Sequence, residues 1–518
     1  MMDHEIELKL NAPAQAAARL PKVPWLQKLI SAPVNRRRIT SVYFDTPSAK
    51  LRAAGISLRV RHIDDKIIQT IKYDPKGFCG AFRRQEWEWE IAGNKPDLDR
   101  ATDTALAQFN LKKLGRKLRP VFETKVERAA IPISHHDNDL ELAIDRGEVR
   151  AGRRKEPISE IEIEVKDGDP IDAVSLARRI AAETAAGYGA KTKAQRGYSL
   201  ITGEQHRPIF ADKVILHPAM PAGQAFQAVG FSCLHHFATN QDAIIHDDRE
   251  GVHQMRVGLR RFRAAISIFK EFLEQPETDV IKRELKWLTE RLGPARDLDV
   301  LLNHSVKPLE REKPEAHELA ALESDLQGRC LAALSTAKAA VESDRYRKLV
   351  LESALWLAGG AWVTSPDPLV VARRDIPIAD FAAGELSRRT VKIVKRSKKL
   401  CALDTRRRHK LRIAIKKARY GCEFFASVYE GRKPERRRKK FTAALKGIQS
   451  ALGKLNDMQV HGKLARQLTN RRPGDAKQTQ TILAIGLLRG REDADTETIL
   501  ASALKAARKL PDIKPFWR

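Results

Sequence analysis

His4-Glu5-Ile6-Glu7-Leu8-Lys9-Leu10 alternates strictly between charged and apolar side chains. At a period of two, Glu5, Glu7 and Lys9 share one face of a strand, and Ile6, Leu8 and Leu10 share the other. If the apolar face packs, two carboxylates and an ammonium point the opposite way. They then need a partner, a metal or water, because burying unpaired charge is costly.

The same inversion recurs through residues 1–203. Arg84-Gln85-Glu86-Trp87-Glu88-Trp89-Glu90 sets an Arg and three Glu against two tryptophans, and Glu160-Ile161-Glu162-Ile163-Glu164-Val165 sets three Glu against aliphatics. Leu58-Arg59-Val60-Arg61 carries two guanidiniums over an apolar back, and Leu140–Asp145 again alternates acids with aliphatics. Further strands are expected at Arg38–Asp45, Gly55–His62, Lys66–Tyr73, Phe82–Ile91, Pro120–Ile133, Leu140–Arg150 and Pro157–Val165, with Gly, Pro and Asp between many of them. Helices are expected near Ala12–Ile30, Asp99–Leu114 and Asp169–Ala186. A solvated sheet face would explain any one such strand. Acid pairs on some strands and Arg pairs on others fit better a closed antiparallel sheet with a charged lumen. Carboxylate oxygens suit hard divalent cations, and Arg and Lys suit phosphoryl oxygens.

These residues resemble the CYTH, or triphosphate tunnel, family through the ExExK pattern of Glu5, Glu7 and Lys9. Supporting matches follow in order: Tyr43-Phe44-Asp45-Thr46, Leu58-Arg59-Val60-Arg61, Thr70-Ile71-Lys72, Arg84-x-Glu86-x-Glu88, Asp145-x-Gly147, Glu160-x-Glu162-x-Glu164 and Lys193-Ala-Gln-Arg196-Gly-Tyr198. The resemblance implies an eight-stranded antiparallel tunnel that binds a triphosphate with Mg²⁺ or Mn²⁺. Carried over by position, Glu5, Glu7, Glu162 and Glu164 would hold metal. Lys9, Arg59, Arg61, Lys72, Arg84, Lys125 and Lys193 would bind phosphates. Glu86 and Glu88 are expected to hold or orient a second metal and the attacking water, with Lys9 joining them as a catalytic residue. At Lys125-Val126-Glu127 the chain departs from the family's paired basic residues. His135-His136, beside Asp137-Asn138-Asp139, read as a surface loop rather than as ligands. Walker-type phosphate loops and Ser-His-Asp or Cys-His nucleophile patterns are not found.

The formal net charge of the 518-residue chain is +29 and it is uneven. Residues 1–203 carry 36 basic and 28 acidic side chains, and residues 204–518 carry 59 and 38. That bias points to a polyanionic partner. Prolines from Pro208 to Pro221 mark residues 204–221 as a linker, after which the period becomes helical.

The second half is duplicated. His253, Arg256, Arg260 and Arg263 fall at i, i+3, i+7 and i+10, as do His409, Arg412, Lys416 and Arg419, with Arg261 and Lys417 matching beside them. Each set forms one stripe of a helix. The opposite side of each helix is apolar: Met255, Leu259, Phe262, Ile266 and Phe269 in the first, Leu411, Ile415, Ala418, Cys422 and Phe425 in the second. Leu292-Gly293-x-x-x-Asp297 recurs as Leu452-Gly453-x-x-x-Asp457, read here as a helix C-cap glycine followed by an N-cap aspartate. The stripes resemble the CHAD domain, a duplicated helical bundle associated with inorganic polyphosphate. By that resemblance His253, Arg256, Arg260, Arg261 and Arg263, with His409, Arg412, Lys416, Lys417 and Arg419, would line a basic groove. Residues 305–384 read as scaffold and connector.

The expected architecture is thus an α+β N-terminal tunnel domain (1–203), a linker (204–221) and an all-α domain (222–515) with repeats near 222–305 and 379–470. The expected activity is metal-dependent hydrolysis of inorganic triphosphate, beside polyphosphate binding by the helical half. Alternatives are thiamine triphosphate hydrolysis, adenylate cyclase-like chemistry, or a non-catalytic polyanion adaptor. Nucleic acid is not the expected partner, since the basic stripes lack interleaved aromatics for base stacking and the chain is 6% aromatic. Five scattered cysteines without CxxC spacing, no signal pattern and no apolar run of about 18–20 residues lead to the expectation of a cytoplasmic protein without a membrane anchor. Association with polyphosphate granules follows from the expected ligand.

Overall fold

The computed structural model describes residues 3–73, 84–135, 138–469 and 476–518. Its first half is a sheet turned inside out. Strands β1 (Asp3–Asn11), β2 (Asn35–Asp45), β3 (Ile56–Ile63), β4 (Lys66–Tyr73), β5 (Arg84–Glu90), β6 (Arg119–His135), β7 (Asn138–Ala151) and β8 (Arg154–Asp167) lie in the order β5-β4-β3-β2-β6-β7-β8-β1. β1 also pairs with β5 through Asp3–Glu5, which closes the sheet into a tunnel of eight antiparallel strands. A ninth strand, β9 (Gly187–Tyr188), continues that edge of β1 at Leu10 and Asn11.

Alternation decides which face is wet. Leu8, Leu10, Leu142, Ile144, Ile161 and Ile163 point outward into a core covered by the helix Pro170–Thr184, and Leu58, Val60 and Ile71 point outward against Leu51, Leu106 and Leu114. The odd residues of β1 and even residues of β8 therefore face inward. Removing both aliphatic faces from water at about 25 cal/mol per Å² is the term that offsets confining charge inside.

Two expected helices are shorter than their periodicity implies. Ala12–Ile30 breaks at Pro21 and Pro24 into Ala14–Arg19, a 3₁₀ turn and Pro24–Gln27, because a proline inside a helix removes a hydrogen bond and clashes with the preceding turn. Asp99–Leu114 yields a 3₁₀ turn at Ala105–Gln108 and one α-turn at Leu111–Gly115, each capped by a polar side chain, Thr104 and Asn110.

The second half is helical. Its repeat helices, Arg249–Ile268 and Thr405–Phe424, pack together, and all ten apolar positions paired by the duplication are buried. The equivalent residues Phe269 and Phe425 meet each other, with ring centroids 5.9 Å apart. The 204–221 stretch is fastened to this half. Val214 and Leu216 are buried there, Ser427 Oγ accepts from the Leu216 amide at 2.8 Å, and Asn240 brackets Ile209 with two hydrogen bonds. The 305–384 segment also does more than connect. Leu351 and Leu355 of the helix Asp344–Gly359 complete the core outside the tunnel. No helix of the described residues is long and apolar enough to cross a membrane.

Candidate active site and basic groove

The tunnel and the junction beside it enclose a cavity of about 1630 Å³. β1 and β8 supply its acidic wall. Their register sets Glu7 directly opposite Glu164, Lys9 opposite Glu162 and Asn11 opposite Glu160, and the β7–β8 ladder adds Glu141 beside Glu164. Glu5 lies on β1 opposite Arg84 of β5, and the side chains of both fall outside the described residues.

The cations come from β3, β4, β6 and the helix Lys193–Thr202, which plugs one end. Phe122 stacks on Tyr43 at 4.3 Å and meets Tyr198 edge-on at 5.2 Å. Tyr198 donates to Asp45, whose buried carboxylate also accepts from the Thr46, Leu51 and Arg52 amides. Gly197 permits this plug, since a Cβ there would stand 2.2 Å from the Phe122 ring. The helix start is capped by Thr192 and Gln195, which aims Lys193 inward. Lys193 Nζ lies 2.6 Å from Glu162, 2.8 Å from Asp145 and 2.8 Å from Glu160. Burial works against its charge, but the three carboxylates outweigh burial and hold the ammonium well above its ordinary range. Burial likewise raises Glu162, yet Lys193 and Arg128 bring its carboxyl well below the usual range. Lys9, where burial prevails, titrates lower than a free lysine, with Glu160 at 3.2 Å.

On the other wall Arg59 and Arg61 face inward from β3. Lys72 lies 2.9 Å from Glu86, Arg59 lies 3.8 Å from it, and Thr70 donates to Glu88 at 2.9 Å. Lys125 is not brought to the cavity. On β6 the inward residues are Thr124, Val126 and Arg128, so Lys125 projects to solvent beside Glu123. The inward cation is Arg128, which binds Asp145 through two 2.7 Å contacts and reaches Glu162 at 2.5 Å. Its parity was readable: Ala129, Ile131 and Ile133 form the apolar face, leaving Arg128 opposite. Glu160 and Asp145 act as internal counter-ions. His135 ends β6, and His136 lies outside the described residues.

Among the described residues no three or more His, Cys, Asp or Glu side chains are already grouped as a metal site. The donor chemistry nevertheless fits a hard divalent cation. Glu7 and Glu164 lie in register on the lumen wall, with Lys166 2.7 Å from Glu164 and Lys9 and Arg128 near Glu7, and paired carboxylate oxygens at that spacing suit such an ion.

In the helical half, Arg260 stands close to Arg412 and Lys416 across the two repeat helices and Arg256 close to Lys416, with His253 beside Arg256 and Arg260 on the first. Buried guanidinium Nε atoms of Arg256, Arg412 and Arg419 and His253 Nδ1 have no hydrogen-bond partner. Burial and the guanidiniums of Arg412 and Arg260 push Lys416 down to about 7, and burial with Arg296 pushes His253 down to about 4. His409 contacts Asn456 at 2.8 Å, and Arg419 contacts Gln449 at 2.8 Å. Arg263 is exposed, and Lys417 donates to Ser267 at 2.8 Å, further along the pair of helices. Arg261 does not join the groove. At 1% exposure it is buried between helices, 3.1 Å from Glu423 and over the Phe424 ring.

The capping reading of the two aspartates is overturned. Asp297 sits inside the helix Gly293–Leu301 and Asp457 inside Arg432–Thr469, where Gly453 is helical too. Burial and the neighbouring Asp457 raise the Asp297 carboxyl, while Arg256, 3.7 Å away, opposes them.

A charged antiparallel tunnel joined to a duplicated basic helical bundle defines a two-domain class of protein. Residues 3–198 match the CYTH domain and residues 228–466 the CHAD domain, so the chain carries a CYTH domain followed by a CHAD domain. It is 29% identical over 204 residues to the inorganic triphosphatase of Haemophilus influenzae, a match covering 39% of this chain. The chain thus spans 56% of that relative's length. Among solved structures, the CHAD domain of Ricinus communis is 29% identical, with a TM-score of 0.49, covering 58% of this chain and 97% of that one. PptA from Streptomyces chartreusis is 18% identical, with a TM-score of 0.43, covering 56% and 100%.

Proposed function

We propose that the tunnel hydrolyses inorganic triphosphate with the help of Mg²⁺ or Mn²⁺, and that the helical groove binds inorganic polyphosphate. The carrying observation is that Arg59, Arg61, Lys72 and Lys193 share one cavity with the facing carboxylates Glu7 and Glu164. Phosphoryl transfer needs mainly positioning and charge neutralisation. A compact polyanion with its cation matches such a lumen, and the Haemophilus relative's name supports this substrate.

In this reading Arg59 and Arg61 grip phosphoryl oxygens through their planar forks, and Lys9, Lys72 and Lys193 neutralise the chain as point charges. Arg84 would extend this set. Lys72 and Arg59 hold Glu86, and phosphate competing for those two cations would free that carboxylate to orient water. Thr70 keeps Glu88 turned toward the same space. Glu7 and Glu164, with Glu5 and Glu162, would hold the metal, which when bound neutralises phosphoryl oxygens and lowers the pKa of water. The groove would hold polyphosphate as a line of charge along His253, Arg256, Arg260, His409, Arg412, Lys416 and Arg419.

Incubation with tripolyphosphate, ATP and thiamine triphosphate, each with Mg²⁺, Mn²⁺ or chelator, tests the tunnel. Metal-dependent phosphate release is expected from tripolyphosphate and is lost in Glu7→Ala. Its absence in the native chain overturns the reading, and faster release from either other substrate reassigns the chemistry.

A further inference from the structure

The segment 186–192 is held from two sides. On the tunnel side, β9 pairs with Leu10 and Asn11, the Gly189 amide donates to Lys9 O at 2.9 Å, and Lys9 Nζ donates to Lys191 O. Gly189 makes this approach possible, since a Cβ there would lie 2.8 Å from Lys9 Cε. On the helical side, Arg347 donates to Ala186 O at 2.6 Å, and Asp242 of the short helix Gln241–Ile245 pairs with Lys191 Nζ at 2.5 Å. Lys191 therefore touches both halves: its carbonyl holds Lys9 and its ammonium holds Asp242.

An ammonium has three donors. Glu160 takes one from Lys9 and the Lys191 carbonyl another. A neutral carbonyl fixes the direction of the ammonium without cancelling its charge, so the third donor can meet a phosphoryl oxygen. Were the segment to move, Lys9 would keep only Glu160 and swing toward the acidic wall.

We propose that the 186–192 strap, gripped by Asp242 and Arg347 of the helical half, positions Lys9 for the triphosphate, which makes Lys191 and Asp242 positioning residues of the tunnel reaction. This rests on the triphosphatase reading above. The helical half then sets substrate affinity in the tunnel as well as binding its own ligand.

Steady-state hydrolysis of tripolyphosphate by the full chain tests it. Asp242→Asn should raise KM about fivefold or more, the lower end of typical inter-site coupling, with kcat within about twofold. Asp242→Glu should recover most of the loss. Lys191→Met should raise KM by a similar factor, and the double variant should add nothing further. An unchanged KM in Asp242→Asn, an Asp242→Glu as defective as the amide, or additive effects of the two substitutions would each overturn the strap. A native chain without turnover overturns the triphosphatase reading and this inference with it, whereas an active chain indifferent to Asp242 overturns the strap alone.

Discussion

Lys193 Nζ and Glu162 Oε1 stand 2.6 Å apart inside the tunnel, and the same ammonium also reaches Asp145 and Glu160. One side chain from the plugging helix thus balances three inward carboxylates. Lys193→Met should destabilise the fold by about 3–5 kcal/mol, the usual consequence of leaving buried charge unpaired. Urea unfolding measures it, and a loss below about 1 kcal/mol would mean that water or Arg128 compensates.

Acid should loosen the same cluster. Glu160 is brought from an ordinary 4.5 to about 2, since Lys9 and Lys193 outweigh its burial. A carboxyl lowered in the folded state stabilises above its unfolded pKa, and the effect fades as pH falls through the folded value. Stability should therefore decline between about pH 4.5 and pH 2, more shallowly in Glu160→Gln. Chemical denaturation across that window reads the slope.

Glu7 and Glu164 face each other as like charges. Lys166 pairs with Glu164 and Lys9 and Arg128 lie near Glu7, so in chelator Glu7→Gln should change stability by less than about 1 kcal/mol. The same variant should lose the rise in melting temperature that Mn²⁺ gives the native chain. A variant that still gains stability from Mn²⁺ would remove Glu7 from the metal set.

In the helical groove, Arg256→Ala combined with Arg412→Ala should weaken polyphosphate binding and reduce its salt dependence, leaving tripolyphosphate turnover largely intact. Lys416, brought to about 7 by burial and Arg412, should make binding pH-dependent. A bound polyanion raises its pKa, so affinity falls as pH rises through about 7, and Lys416→Arg should flatten that response. Titration calorimetry at pH 6 and pH 8 measures both.

Arg261 provides the contrast. Buried itself but paired with the half-exposed Glu423, it should behave as a structural cation: Arg261→Ala is expected to destabilise the bundle by about 2–5 kcal/mol, chiefly through the cavity it leaves. Polyphosphate affinity per folded molecule should be unchanged. A selective loss of affinity without a loss of stability would return Arg261 to the groove.

Much of this was legible as alternation. The period of two placed Glu7, Glu162, Glu164, Arg59, Arg61 and Lys72 on inward faces, and the duplication exposed both helical stripes with their apolar backs. Lys125 went astray because a motif position was followed where local parity pointed to Arg128. Arg261 went astray because homology between repeats extends to residues off the ligand-facing stripe. The cap reading of Asp297 and Asp457 followed glycine. One helix does end before Gly293, but the next begins at that residue and runs past Asp297. Gly453 lies inside a continuous helix at a penalty of only about 1 kcal/mol.

The sequence by itself determined the inverted strands, the charged lumen and the paired basic helices, because each follows from side-chain spacing along one element. Only the tertiary structure decided which charges neutralise one another. Lys193 meets Glu162 from 31 residues away, and Lys9 meets the Lys191 carbonyl from 182 away. It also brought Asp242 and Leu355 of the helical half against the tunnel domain. Such contacts depend on strand register and helix docking, which the packing of the whole core sets and no local period encodes.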